Sequence, residues 1–325
     1  MKASVIIKRI LLVVATVLIV TVGFLYAVIM FIHFGPSTIA RNTFVMSALE
    51  SSAGGFLAEW FLPDELIAQI VDENTLKETD EVTDPSLIVV PNEDTKDLDK
   101  IEIIDIKGKT YKGKLMIIHD PSRVELGISG PFGDEYEGKR VQEMVKAAGA
   151  IAGINGGAFA DPGGVGKGGT PSGIVIHNSK LLWGSLSELY SIIGFDKDNK
   201  FIVGLVTGQK AMDMGIRDAL MFGPILVING KANASAGTGG GLNPRTAIGQ
   251  RSDGAVLMLV IDGRQVNSLG ASFQDITDIM IEYGAVNAAN LDGGMSSHMV
   301  YDGEIITNCS SLYGTRDIPT CFIVK

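Results

Sequence analysis

Residues 10–34 run for 25 positions without a single Asp, Glu, Lys or Arg, and no other feature restricts the fold so strongly. A stretch of this length that enters lipid must satisfy its own backbone hydrogen bonds, which leaves a helix, and 25 residues suffice to cross a bilayer core. The run is longer than the apolar core of a cleavable signal, and the FGPSTIA that follows offers no small-x-small cleavage site. Lys2, Lys8 and Arg9 precede it while only Arg41 follows closely, so the N-terminus is expected to face the cytoplasm. The expectation is a signal anchor: one pass through the cell membrane, made by Ile10–Phe34, with the remainder extracytoplasmic.

Beyond the span, Pro36-Ser37-Thr38 begins a broadly helical apolar pattern that Gly54-Gly55 interrupts. A second helix is expected from Pro63 through Val71, with Asp64 and Glu65 complementing the dipole at its start. Together, residues 36–71 read as a juxtamembrane helical stalk. The formal charge of −10 is uneven: Asp72–Asp99 carries ten acids against two lysines. This stretch has few large apolar residues besides Leu87–Val90, so it reads as a solvated acidic linker with one short strand there. Without the linker the chain is nearly neutral, and a broadly basic nucleic-acid binder is excluded as the default.

From residue 100 to 325 short Ile- and Val-rich segments alternate with Gly, Asp and Pro, as expected of strands joined by turns. IEIIDIKG, YKGKLMIIHD and VELGIS come first. Lys139–Ala148 is an amphipathic helix, with Val141, Met144, Val145 and Ala148 on one face. Two hairpins follow, Ile174–Leu182 and SIIGFDKDNKFIVGLV. Ser272 is a good N-cap for a helix over Phe273–Tyr283, which Gly284 ends. The fold expected is α/β (α+β), a mixed β-sheet globular domain with packed helices, preceded by the transmembrane helix.

Within that domain one pattern occurs twice: helix, Gly, apolar strand, polar residue, Gly-Gly. It first ends at Asn155-Gly156-Gly157 and then at Asp292-Gly293-Gly294, inside AANLDGGMSSH. A carboxylate at the end of a buried strand, followed by two glycines and the hydroxyls of Ser296 and Ser297, is a common way to build a site. It is also what an ordinary Asp-Gly turn looks like.

GINGGAF, MFGPILVINGK, NPRTAIGQ, LVIDGRQ, the block GASFQDITDIMIEYGAVNAANLDGGMSSHMVYDG and the terminal R-D-I-P-T together resemble the phosphodiester glycosidase family, over residues 115–325. Their order and spacing are far more specific than any one motif. The first hundred residues resemble the membrane-anchored bacterial members, often described as exopolysaccharide-related. The resemblance implies hydrolysis of a sugar-1-phosphodiester, releasing the free sugar and a phosphomonoester. A glycan or sugar-phosphodiester is then the expected partner, beside the membrane.

Such chemistry needs an anion site and at least one carboxylate. Arg245 is the candidate for phosphate, because a guanidinium matches two phosphate oxygens. Asp262 and Asp292 both end apolar strands before Gly and are the candidate acid/base and nucleophile, unless each is only a turn-former. Asn155, Ser296 and His298 are candidate contacts to sugar hydroxyls or phosphate. Gly156, Gly157, Gly293 and Gly294 are expected to turn backbone amides toward the ligand. No cofactor is expected, and no metal: there is no His/Cys cluster, and the acids are too dispersed for a calcium loop. Cys309 and Cys321 either close a disulfide worth about 3 kcal/mol or remain two thiols. Two other readings stay open, a polysaccharide-binding or assembly factor without activity, and a phosphodiesterase that cuts the other P–O bond.

Overall fold

A computed structural model describes all residues except 1–2, 52–53, 78, 93–94, 96, 234–236 and 312–313. Helix α1 (Ala3–Phe34) is long and apolar enough to cross a membrane, and among the described residues none of its apolar window is buried. Three short helices follow: α2 (Thr38–Leu49), α3 (Phe56–Glu59) and α4 (Asp64–Asn74). Ser37 caps α2 by accepting from the Ala40 amide. Val45, Met46, Ala58, Leu62 and Ile70 bury a small core of their own between these helices. The end of α1 is fastened to this group, since the His33 ring stacks on Phe61 and meets Phe44 edge-on.

Three antiparallel sheets build the rest. The largest has seven strands in the order β1 (Ile101–Lys107), β2 (Lys112–Ile118), β13 (Val256–Ile261), β12 (Arg245–Arg251), β14 (Ala285–Leu291), β10 (Ile225–Ile228) and β11 (Lys231–Ala232). A second runs β16 (Glu304–Ile305), β15 (Met299–Tyr301), β4 (Ala152–Asn155), β17 (Thr320–Val324) and β3 (Val124–Ile128). The third runs β6 (Lys180–Trp183), β5 (Val175–His177), β9 (Ile216–Met221), β7 (Leu189–Asp196) and β8 (Phe201–Thr207). Two further helices are α5 (Val141–Ala147) and α6 (Gly208–Asp213), and α7 (Phe273–Glu282) completes the set. Every registered strand pair in the three sheets is antiparallel, so the domain is of the α+β kind.

The large sheet is central because both its faces are apolar. In VLMLVI of β13 the period-2 alternation sends Met258 and Val260 to one core and Leu257 and Leu259 to another. The first core lies toward the other two sheets, with Phe195, Phe201 and Phe322. The second is covered by α7, through Ile276, Ile279 and Met280. Each such side chain removed from water contributes about 1.5–3 kcal/mol. A capping box between Ser272 and Asp275 sets the start of α7, and Gly284, at φ +87°, takes the left-handed turn that ends it.

The helical segment after α1 and the acidic stretch, expected as a stalk and a solvated linker, both make hydrogen bonds to the domain. Loop 237–243 of the domain is bound by α2 and α4: Ser47 Oγ accepts from the Leu242 amide, and Asn74 Oδ1 accepts from the Thr238 amide. The acidic stretch is tied down in the same way. Val82 bridges to Gly204, Thr83 exchanges hydrogen bonds with Val203, and the Val89 amide donates to Ser252 O. Leu87–Val90 forms no strand; Pro85–Leu87 is a single 3₁₀ turn whose start Asp84 caps. Acidic composition alone does not reveal such attachments, because the bonds run mostly through backbone.

Candidate active site

The register of the large sheet brings two of the expected residues to one edge. Thr246 of β12 is paired with Leu291 of β14, so Arg245, before the one, and Asp292, after the other, leave the sheet side by side. They line a pocket of about 390 Å³ with Arg264, Arg316, Asp161 and Asn290. Gly293, Gly294 and Ser296 lie on the same wall.

Asp292 is held by the turn that follows it. Its Oδ1 accepts from the Gly293 amide at 2.9 Å, and Ser296 donates a side-chain hydrogen bond. Burial outweighs these bonds and pushes the carboxyl from 3.8 up to about 6. Its backbone is fixed from below: the amide donates to Gly156 O, and the carbonyl accepts from Asn155 Nδ2 at 2.6 Å. Asn155 is fully buried, and its Oδ1 also accepts from Thr246 Oγ1 and the His298 amide. The two Gly-Gly patterns thus meet end to end, with Asn155 supporting Asp292 and not lining the pocket.

The arginines differ in their engagements. Arg245 is buried; it pairs with Glu50 at 2.5 Å, donates to Gly241 O and Ala271 O, and lies 3.8 Å from the Phe273 ring centre. Burial works against its charge and Glu50 supports it. Arg316 is bound to both carboxylate oxygens of Asp161 and lies over Phe159. That pairing holds Asp161 below the usual carboxylate range. Arg264 is exposed; it donates to Asn243 Oδ1 at 3.0 Å, and no carboxylate pairs with it among the described residues. Asn290 Nδ2 donates to Gly223 O, which leaves its buried Oδ1 without a partner on the pocket wall.

Several expected residues are placed elsewhere. Asp262 lines a separate depression of about 310 Å³, where its carboxylate accepts from the amide and side chain of Asn308. There it organises a loop and is not brought to Asp292. His298 has no exposure; its Nδ1 donates to Ser296 O, and burial lowers its pKa to about 4, so the ring is neutral. The four glycine amides do not face the pocket's space. Gly156 donates to Thr320 O, Gly157 to Thr320 Oγ1, Gly293 to Asp292 Oδ1 and Gly294 to Pro244 O. Gly156 and Gly157 are needed for close approach, since a Cβ would lie 2.6 Å from Thr320 and Met221 oxygens. No group of three or more possible metal-binding side chains occurs among the described residues.

Arg264 and Arg316 went unselected although both stand in motifs already singled out, LVIDGRQ and R-D-I-P-T. Glu50 carries no local signal at all, because its partner is 195 positions away.

An antiparallel α+β domain thus holds one polar pocket lined by three carboxylates and three guanidinium groups, two of each joined as ion pairs. The chain belongs to the phosphodiester glycosidase family, which matches residues 148–325, more than half of its length. This membership supports a glycosidase-type hydrolase. The SPbeta prophage-derived uncharacterized protein YomE of Bacillus subtilis (strain 168) is 40% identical over 100 residues, or 30% of this chain. The chain spans only 16% of that relative's length. Among solved structures, the catalytic domain of zebrafish N-acetylglucosamine-1-phosphodiester alpha-N-acetylglucosaminidase, auto-inhibited by its pro-peptide, matches with a TM-score of 0.61. It is 20% identical, the match covers 75% of this chain and 87% of that one, and the likeness is one of fold. A putative exported protein from Burkholderia pseudomallei K96243 is 18% identical with a TM-score of 0.47, over 66% of this chain and 74% of that one.

Proposed function

We propose that the chain is a membrane-anchored hydrolase that cleaves the sugar–oxygen bond of a sugar-1-phosphodiester in a cell-surface glycan. The observation that carries this reading is the buried Asp292 carboxyl in one pocket with Arg264, which no carboxylate pairs among the described residues. Family membership supplies the bond type. In this reading α1 is the anchor, the N-terminus is cytoplasmic and the domain from residue 100 is extracytoplasmic.

Water attacks the anomeric carbon, the bond from that carbon to the phosphate oxygen breaks, and its electron pair leaves with the phosphate. The departing group is a phosphomonoester, whose second pKa is about 6, so it needs little protonation. Asp292 therefore acts in its ionised form, as the base that takes a proton from the attacking water. Arg264 takes the phosphate, since Glu50 and Asp161 hold the other two guanidinium groups. The free Asn290 Oδ1 accepts from a sugar hydroxyl.

The test is to incubate the full chain with a panel of glycosyl-1-phosphodiesters in oxygen-18 water. Release of sugar carrying the label in its hydroxyl is expected. Label in phosphate defeats this bond assignment, and binding without turnover favours a recognition protein.

A further inference from the structure

A second cavity, of about 630 Å³, adjoins the polar pocket. The two share Glu50, Ala158, Phe222, Gly223 and Phe273 as a boundary, but their chemistry is different. Past that boundary the lining is mostly apolar, with Met46, Leu49, Val71, Leu205, Met221 and Ile225 against three hydroxyl residues, Thr75, Thr79 and Ser191. Its single charged lining residue among those described is Glu50, at the boundary itself. Such a lining offers little to a charged group and favours an apolar one.

A phosphodiester has two arms. If the sugar and phosphate occupy the polar pocket, the second ester arm leaves across the shared boundary into the cleft. We propose that this arm is a hydrocarbon chain, so that the substrate is a lipid-linked sugar phosphate. The inference rests on the hydrolase reading above and adds the class of leaving alcohol to it. Proximity to lipid supports it as well as lining. One side of the cleft is α2, which only three residues separate from the end of α1 and whose last turn carries Met46 and Leu49. At 1.5 Å per residue the twelve residues of α2 span roughly 18 Å. The His33 contacts to Phe44 and Phe61 hold α1 to this group. The cleft is thereby kept within a short distance of the end of the anchor, where lipid-linked molecules are concentrated.

The test compares decyl and glyceryl diesters of one sugar-1-phosphate, with the full chain in lipid nanodiscs and the decyl ester below its micelle-forming concentration. The expected kcat/KM is at least about tenfold higher for the decyl ester, since burial of about two methylene groups is worth that factor. In Leu49→Glu and in Leu205→Glu, both half-buried positions on opposite sides of the cleft, the decyl-to-glyceryl ratio should fall toward one. The glyceryl rate in the same variants reports whether they are folded. Equal kcat/KM for the two esters in the unaltered chain overturns the lipid proposal and leaves the hydrolase standing. A preference that survives in both variants overturns the assignment to this cleft. If no glycosyl phosphodiester is turned over, the underlying hydrolase reading fails instead.

Discussion

At Asp292 two free energies point in opposite directions. Its carboxyl is ionised half-way only at about pH 6 in the fold, against an ordinary 3.8. The folded state therefore binds the proton more tightly than the unfolded one between these values, and stability falls as pH rises through that window. Because the side chain retains some exposure to the pocket, this cost is about 1–2 kcal/mol and not the full value of the shift. In the proposed reaction the form that acts is the destabilised one. Log kcat/KM is thus expected to rise with pH to a plateau, with its midpoint near 6, and a pH–rate profile measures this. A falling limb there would make Asp292 the acid instead. Asp292→Asn should lose activity by about 10²–10⁴-fold while unfolding at higher temperature than the parent at pH 8, which calorimetry at two pH values checks. Asp292 and Asp262 carry the same local signature, an apolar strand followed by Asp-Gly. What separates them is Asn308, which arrives from a distant loop to occupy the Asp262 carboxylate. Such an engagement is decided in three dimensions and leaves no mark near residue 262.

The elements follow the same division. Periodicity and caps set α7, α5 and the hairpins within a residue or two of their expected bounds, because each of those signals is local. The docking of α2 is not local. Glu50, just past its end, accepts from the Gly241 amide and Asn243 Nδ2 as well as pairing with Arg245. Glu50→Gln preserves the shape but leaves the Arg245 charge without its counterpart. A loss of about 2–3 kcal/mol is expected for so enclosed a pair. Hydrogen exchange should become faster in residues 38–49 and 238–243 together, and unchanged in β13. Faster exchange in only one of the two segments would mean that Glu50 does not join them.

For the molecule as a whole, the sequence expectation left the cysteines open between a bond and two thiols, and both are free in the structure. Cys321, on β17, is fully buried beside the sulfur of Met144, and burial raises its thiol pKa strongly. It should resist a thiol reagent until the protein unfolds, whereas half-buried Cys309 should be modified first. Mass spectrometry of the labelled peptides distinguishes them, and equal labelling of the two in the native state would be inconsistent with this packing. If α1 is an anchor, the full chain should stay with the membrane fraction through alkaline carbonate washing, and release into the supernatant would argue against it.

The strand that carries Cys321 has a further effect. β17 lies between β3 and β4, and Thr320 pairs with Ile128 far back along the sequence. The strand that joins β3 to β4 in the sheet that supplies Asn155 is therefore missing until synthesis has passed residue 324. Ribosome-bound chains must hold β3 and β4 apart and unpaired for most of translation, a slow, non-local assembly that exposes adhesive edges. Those edges stay open to non-native pairing until the last strand of the sheet is made.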